Sequence, residues 1–394
     1  MFGFSNFGNE ASLVSAVRAL RGQLPGVDLF CICTRPRGVT AAYELEAIPL
    51  NLRALGEWWG LKRAVILCLR RVGLIRIVGA VQAYRIMRGA DALVIPGTGI
   101  LDDYGLRPFG VPLDMLIWCA AARLRGAKVM FVSVGAGPIT NPRTLTLMKA
   151  AASLAAHRSF RDSASREFMK VHGLDVSEDR VVPDIVFSLE PESVGPSRTD
   201  VTDGLTVAVG VMNYHGWNTQ GERREETYRR HVEDAAEIVR GVIERGCSVR
   251  VIGGEIDDQG AVRDVYERVC SLGKSYADRC TAPSLLDFDD LFRELGECDL
   301  VIATRFHNVV CSLILGKPVL SVGYADKNRD LLKEFGLGEY AHDIETLSVG
   351  RLLEQFDEVV GRRVELERSI ACTARRYRVE IRGYMDGLWE TLGL

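Results

Sequence analysis

Arg305 and His307 stand two residues apart in the stretch 299–324, DLVIATRFHNVVCSLILGKPVLSVGY. A fixed cation beside a titratable imidazole suits a small polyanion whose chemistry needs a proton. The Arg305 guanidinium offers paired donors for a carboxylate or phosphate; its competing role is an ion pair at a strand end. His307 can act as an acid, hold an anion, or cap a first helical turn. Lys327 follows at the start of a helix over Asn328–Phe335, where a cation suits phosphate and a solvated lysine is the plainer alternative. The surrounding pattern places these residues. Leu300–Ala303 is a short apolar run, the look of a buried parallel strand, and Pro318–Val322 is the next. Phe306–Leu315 between them reads as a helix that Thr304 can cap. Arg305 and His307 therefore fall at the carboxyl end of a strand and the amino end of a helix. Open α/β sheets bind ligands there, and helix N–H groups favour anions.

A second group lies upstream. Arg161 precedes a helix for which Asp162 is the expected N-cap; pairing with an acid is the alternative role for that arginine. Asn9 is expected to cap a helix over Glu10–Gln23, with Glu10 in the first turn, where the helix dipole favours an acid. Gly97-Thr98-Gly99 follows a strand at Ala92–Pro96, and small residues there admit a ligand close to the backbone. The spacing is not that of a dinucleotide fingerprint. Asp102 and Asp103 could bind hydroxyls or serve as a base, or cap the next segment. Gly135, Gly137 and Pro138 shape a tight turn after a strand at Lys128–Val134. Asn213, Tyr214, His215 and Trp217 form a polar and aromatic set after Leu205–Val211, and Gly253-Gly254-Glu255 ends the strand after that with another acid.

Taken in order, these blocks resemble the polysaccharide pyruvyl transferase family. Arg305-Phe306-His307, Gly316-Lys317-Pro318, Tyr324 and Lys327 are similar to its C-terminal signature, with Phe306 where Leu is usual. Asn6-Phe7-Gly8-Asn9-Glu10-Ala11 resembles its N-terminal block, with Asn9 in place of Asp. Asp91–Asp103 resembles its strand and glycine turn, with Thr98 where a third Gly is common. Ser133–Pro138, Arg161-Asp162-Ser163 with Ser165, and Asp184 complete the match, which spans nearly the whole chain. The resemblance implies transfer of the pyruvyl group of phosphoenolpyruvate onto two hydroxyls of a sugar in a polysaccharide, wall polymer or glycolipid precursor, with a ketal formed and phosphate released. It implies His307 and Arg305 as catalytic residues, and Arg161, Arg305, His307 and Lys327 around the donor. Asn9, Glu10, Gly97, Thr98, Asp102 and Asp103 are implied on the acceptor side. No cofactor and no metal are expected, since arginines, a lysine and helix N–H groups can meet the anionic donor. A nucleotide-sugar-dependent glycosyltransferase on the same architecture is the alternative. No Asp or Glu occurs from Val301 to Ala325 to receive a ribose, which counts against it.

Length and composition fit this. A chain of 394 residues is long for one domain. Apolar content of 47% with 26% charged residues describes a globular enzyme, and a net charge of −3 gives no reason to expect nucleic acid. The 10 cysteines lack metal spacing and read as reduced, mostly core residues, pointing to the cytoplasm. Strand-like and helix-like segments alternate, with a proline- and glycine-bearing linker at Glu190–Gly204. The expected fold is α/β, two Rossmann-like domains in a GT-B-like arrangement with an interdomain cleft, the C-terminal helix packing back on the first domain. The expected boundaries are 1–190, 204–370 and 371–394. No run is long and uncharged enough to span a membrane. The window 58–88 is basic, with Trp58 and Trp59 leading Lys62, Arg63, Arg70, Arg71, Arg76, Arg85 and Arg88 and no acid after Leu61. It reads either as an interfacial helix that brings the enzyme to the inner face of the plasma membrane, where a lipid-linked sugar could be the acceptor, or as an ordinary helical pair.

Overall fold

The computed structural model describes residues 6–51, 75–104, 106–191, 204–216 and 222–393. The chain forms two compact units. One holds Ser12–Ile185 and Glu380–Leu394; the other holds Val186–Val379 together with the segment 6–11.

In the second unit, six parallel strands form one sheet: β7 (Thr206–Gly210), β8 (Ser248–Ile252), β9 (Cys280–Thr281), β10 (Leu300–Ala303), β11 (Val319–Gly323) and β12 (Ala341–Asp343). Their order is β12-β11-β10-β7-β8-β9. Renumbered within the unit this is 3-2-1-4-5-6 read from the β9 edge, the doubly wound order of dinucleotide-binding folds. Its switch point lies between β7 and β10. Every residue of β10 and β11 is buried, as expected of strands covered by helices on both faces. The helix Phe306–Ile314 returns from β10 and buries eight of its nine residues.

In the first unit, β3 (Ala92–Pro96), β4 (Lys128–Val134), β5 (His157–Phe160) and β6 (Arg180–Val181) make a four-stranded parallel sheet. A separate parallel pair joins β1 (Phe30–Cys33) to β2 (Glu46–Pro49). Helices Val111–Leu124 and Pro142–Ser153 flank β4 in sequence and contribute Met115, Trp118, Met148 and Ala152 to the core around Phe131 and Phe160. The last helix, Arg363–Leu392, ends in this unit. There the Tyr384 hydroxyl donates to Ser159 Oγ (2.8 Å) and the Trp389 indole N–H donates to Gln23.

Element boundaries differ from the sequence expectation in places with a physical cause. The first helix is Phe7–Gln23, and its cap is Asn6 rather than Asn9: Asn6 Oδ1 accepts the Asn9 N–H (3.1 Å). The segment 6–11 groups with the second unit because Phe7 N–H donates to Gly254 O (3.2 Å) and Asn6 bridges to Glu255. Arg305, not Thr304, occupies the N-cap of Phe306–Ile314 and supplies no side-chain cap. Thr304 Oγ1 instead donates to Gly210 O (2.6 Å), tying the end of β10 to the end of β7. The helix before β10 is Phe288–Gly296, capped by Asp287, which accepts the Asp290 N–H. Within the basic window, 58–74 lie outside the described residues, as do Trp217 and the linker residues 192–203. Ile75–Ile86 is helical, with Ile77, Val78 and Val81 exposed. No described helix is long and apolar enough to cross a membrane.

Candidate functional site

The second unit brings its candidates together at the switch point. Asp258, fully buried, is the centre of that corner. It accepts the backbone N–H groups of Asn213 (2.9 Å), Gly254 (3.0 Å) and Glu255 (3.1 Å), gathering the ends of β7 and β8. It also receives Arg305 in a fork, Nε at 3.1 Å and Nη2 at 2.6 Å. A further Arg305 Nη2 contact goes to Glu255. Burial alone would lower the affinity of Arg305 for its proton, but Asp258 and Glu255 outweigh it and hold the guanidinium charged. The fork expected to clamp a ligand is thus engaged by the protein's own carboxylates. Burial in turn raises the Glu255 carboxyl above its ordinary range, against the opposing pull of Arg305. Glu255 also accepts Asn6 Nδ2 (2.9 Å).

His307 lies in the first turn beyond this network, edge-on to Phe306 with ring centroids 5.3 Å apart. Its ring covers the backbone of Gly8 so closely that a Cβ there would fall 1.9 Å from Nδ1. Only glycine allows that approach. Gly254 plays the same part for Arg305, whose Cγ would be 2.7 Å from an added Cβ. Lys327 opens the helix Lys327–Glu334 at the end of β11, its Nζ 5.0 Å from the Tyr324 ring centroid. Buried Asn328 donates to Ser321 Oγ (2.8 Å) and Thr304 O (3.3 Å), which pins that helix start beside the end of β10. Among the described residues no carboxylate pairs with Lys327, so its charge is not neutralised as that of Arg305 is. Sequence reading named Glu255 as a spare acid but passed over Asn6, Gly8 and Asp258 as a constellation. The Gly-Gly-Glu run followed by paired acids at 257–258 was the available signal.

The first unit carries the other candidates at the carboxyl ends of its strands. Arg161 follows β5 and is buried, with Nε 3.3 Å from Asp162 and Nη1 3.5 Å from Asp184. Asp162 caps the next helix by accepting the Ser165 N–H (2.6 Å), as expected. Gly135 lies against Arg161, an added Cβ falling 2.7 Å from the guanidinium carbon. After β3, Gly97 and Thr98 both adopt left-handed backbone, φ 52° and 60°. Thr98 is buried, and its Oγ1 finds no hydrogen-bond partner among the described residues. A β-branched residue is strained there. Asp103 Oδ2 accepts the Thr140 N–H (2.8 Å), the Thr140 hydroxyl (3.0 Å) and the Asn141 N–H (2.8 Å), clasping the loop after β4 to the loop after β3. Asp102 is half-buried and accepts the Tyr104 N–H (3.3 Å). The candidates therefore divide: Asn9, Glu10, Arg305, His307 and Lys327 belong to the second unit, and Gly97, Thr98, Asp102, Asp103 and Arg161 to the first.

Comparison with known proteins gives the family and the fold. Residues 6–326 match the family of polysaccharide pyruvyl transferases. The chain is 23% identical to the amylovoran biosynthesis protein AmsJ of Erwinia amylovora over 304 residues, covering 73% of this chain and 70% of that protein. Among solved structures, a UDP-N-acetylglucosamine 2-epimerase superposes with a TM-score of 0.65 at 12% identity, over 99% of this chain and 95% of the other. The Neisseria meningitidis UDP-GlcNAc 2-epimerase bound to UDP-GlcNAc superposes at 0.59 with 10% identity, over 95% and 96%. A glycosyltransferase from Rickettsia africae superposes at 0.59 with 12% identity, over 99% and 96%. At such identities the likeness establishes the fold, two Rossmann-like halves of the GT-B kind. The chain is a transferase that belongs to the polysaccharide pyruvyl transferase family.

Proposed function

We propose that the chain moves the pyruvyl group of phosphoenolpyruvate onto two hydroxyls of one sugar in a polysaccharide or its precursor. The observation that carries the reading is the pairing of His307 with the un-neutralised Lys327 at the ends of adjacent strands β10 and β11, beside the switch point. A small dianion suits that edge, where helix N-termini add their field to the lysine. His307 then has the place of the acid. A proton passes to the terminal methylene of the donor, and the first sugar hydroxyl bonds to the cationic carbon as it loses its own proton. The bond to phosphate breaks, and the second hydroxyl closes the ketal while its proton leaves. Arg305 is a positioning residue here, since its fork holds Asp258 and Glu255 and so sets the backbone under His307. Asp102 and Glu10 are the carboxylates assigned to the acceptor side.

Carbohydrate transfer from a nucleotide sugar is the reading to be separated from this one, because the fold neighbours include a glycosyltransferase. The helix Phe306–Ile314 bears no carboxylate for a ribose diol. A thermal-shift panel decides between them: phosphoenolpyruvate should raise the melting temperature and nucleotide sugars should not. His307→Gln should keep the fold and lose most turnover. Chelation should leave turnover unchanged. Stabilisation by a nucleotide sugar alone, or full activity in His307→Gln, would sink the proposal.

A further inference from the structure

An open depression of about 640 Å³ in the first unit is ringed by the side chains of Arg76, Arg107 and Arg143. Asn141 and Phe109 complete its wall, and among the described residues no carboxylate lines it. Unlike Arg161 and Arg305, none of the three guanidiniums forms an ion pair among the described residues. Arg76 Nη2 donates to Phe109 O, while its Nη1 is buried and has no hydrogen-bond partner among the described residues. A buried, unsatisfied donor on a permanent cation is costly unless an acceptor arrives. Helix Val111–Leu124 also begins at this place, and its N-cap Gly110 provides no side-chain acceptor. Its first N–H groups add positive potential.

The position within the fold is as telling as the charge. Arg107 lies on the loop that leaves β3, and Asn141 and Arg143 on the loop that leaves β4. Asp103 clasps these same two loops together through Thr140 and Asn141. Asp103 therefore ties the loops bearing Arg107 and Arg143 to the turn bearing Thr98 and Asp102. Exposed Phe109, with the Arg76 guanidinium 5.7 Å from its ring centre, and exposed Ile77 on the neighbouring helix add apolar surface near the cluster.

We infer that Arg76, Arg107 and Arg143 form a binding site for a diphosphate group, the linkage through which the acceptor sugar is carried. Guanidinium forks match phosphate oxygens in pairs, and three of them suit a group bearing more than one charge. That the diphosphate belongs to the acceptor rests on the function proposed above; the site itself rests on the cluster alone.

Calorimetry of the full chain with inorganic diphosphate tests it, read as binding rather than turnover so that failure of the donor reading leaves it interpretable. Wild type and Lys327→Gln should bind diphosphate alike, while Arg107→Gln with Arg143→Gln should weaken binding about tenfold or more. Both arginines are exposed, so the double variant keeps the core intact. Loss of binding in Lys327→Gln with retention in the double variant would move the diphosphate to the donor edge and overturn the inference. No binding, or binding indifferent to both changes, would overturn it also. Phosphatidylcholine vesicles doped with phosphatidic acid then identify the carrier. Retention by wild type and loss by the double variant supports a lipid-borne phosphate; no retention by either supports a soluble carrier. Retention by both overturns the cluster as the contact.

Discussion

Two corners of the molecule are built alike and held differently. In each, an arginine stands just beyond a strand, Arg305 two residues past β10 and Arg161 one past β5, meets two carboxylates, and is approached by a glycine from a neighbouring loop. In the second unit Arg305 is forked by Asp258 at 2.6 and 3.1 Å, against Gly254. In the first, Arg161 meets Asp162 and Asp184 at 3.3 and 3.5 Å, against Gly135. Short forked contacts in a buried site fix a guanidinium, whereas long ones hold it loosely. Arg305 is thus held in place two residues before His307. Arg161 is buried as well, but its contacts to Asp162 and Asp184 are longer and come from two separate carboxylates. An arginine motif in sequence does not distinguish these two roles; the partners do.

The largest expected effect breaks the tighter corner. Asp258→Ala removes the fork and the acceptor for three backbone N–H groups, so it should cost about 3–5 kcal/mol in denaturant unfolding. Asp184→Ala should cost less, about 1–3 kcal/mol, because Arg161 keeps Asp162. Equal losses would mean the corners are not different in kind. Next in size is Gly8→Ala, which must displace the His307 ring. Turnover should fall about 100-fold, as for a misplacement of the order of an ångström. Gly135→Ala meets the guanidinium end of Arg161, not the His307 ring, and should cost much less turnover. Comparing the two rates at matched folded fraction separates placement from stability.

Thr98→Gly should act in the opposite sense, stabilising the first unit by about 1 kcal/mol through release of a left-handed threonine and its unpartnered hydroxyl. A lower melting temperature in that variant would show that the strain is not where the backbone places it. The smallest effect expected is a pH dependence at Glu255. Burial raises its carboxyl above the ordinary 4.5, so the folded state binds the proton more tightly than the unfolded chain. That contribution is full below the ordinary carboxylate range and is lost as pH rises through the raised value. Relative to Glu255→Gln, the wild type should therefore lose stability as the pH climbs from below the ordinary carboxylate range to above it. A constant difference across that range would contradict the shift.

The parallel strands were legible because burial on both faces demands unbroken apolar runs, as in Leu300–Ala303 and Val319–Gly323. The helix from Phe306 and the cap at Asp162 were legible for equally local reasons. Asn6 and Asn9 are both good caps three residues apart, and the choice between them was made by a contact 247 residues away, Phe7 N–H to Gly254 O. The Asp258–Arg305 fork joins positions 47 apart, so no spacing rule announces it. Short strands such as Arg180–Val181 and Cys280–Thr281 have too few residues to show a period.

The central claim is that Lys327 and His307 present a phosphoenolpyruvate site whose framework is Arg305. Titration of phosphoenolpyruvate into the wild type and Lys327→Ala, with a nucleotide sugar as competitor, tests it most directly. The account predicts saturable binding to the wild type, about tenfold weaker binding or worse in the variant, and no displacement by the nucleotide sugar. Equal affinity in Lys327→Ala, or displacement by the nucleotide sugar, would contradict it.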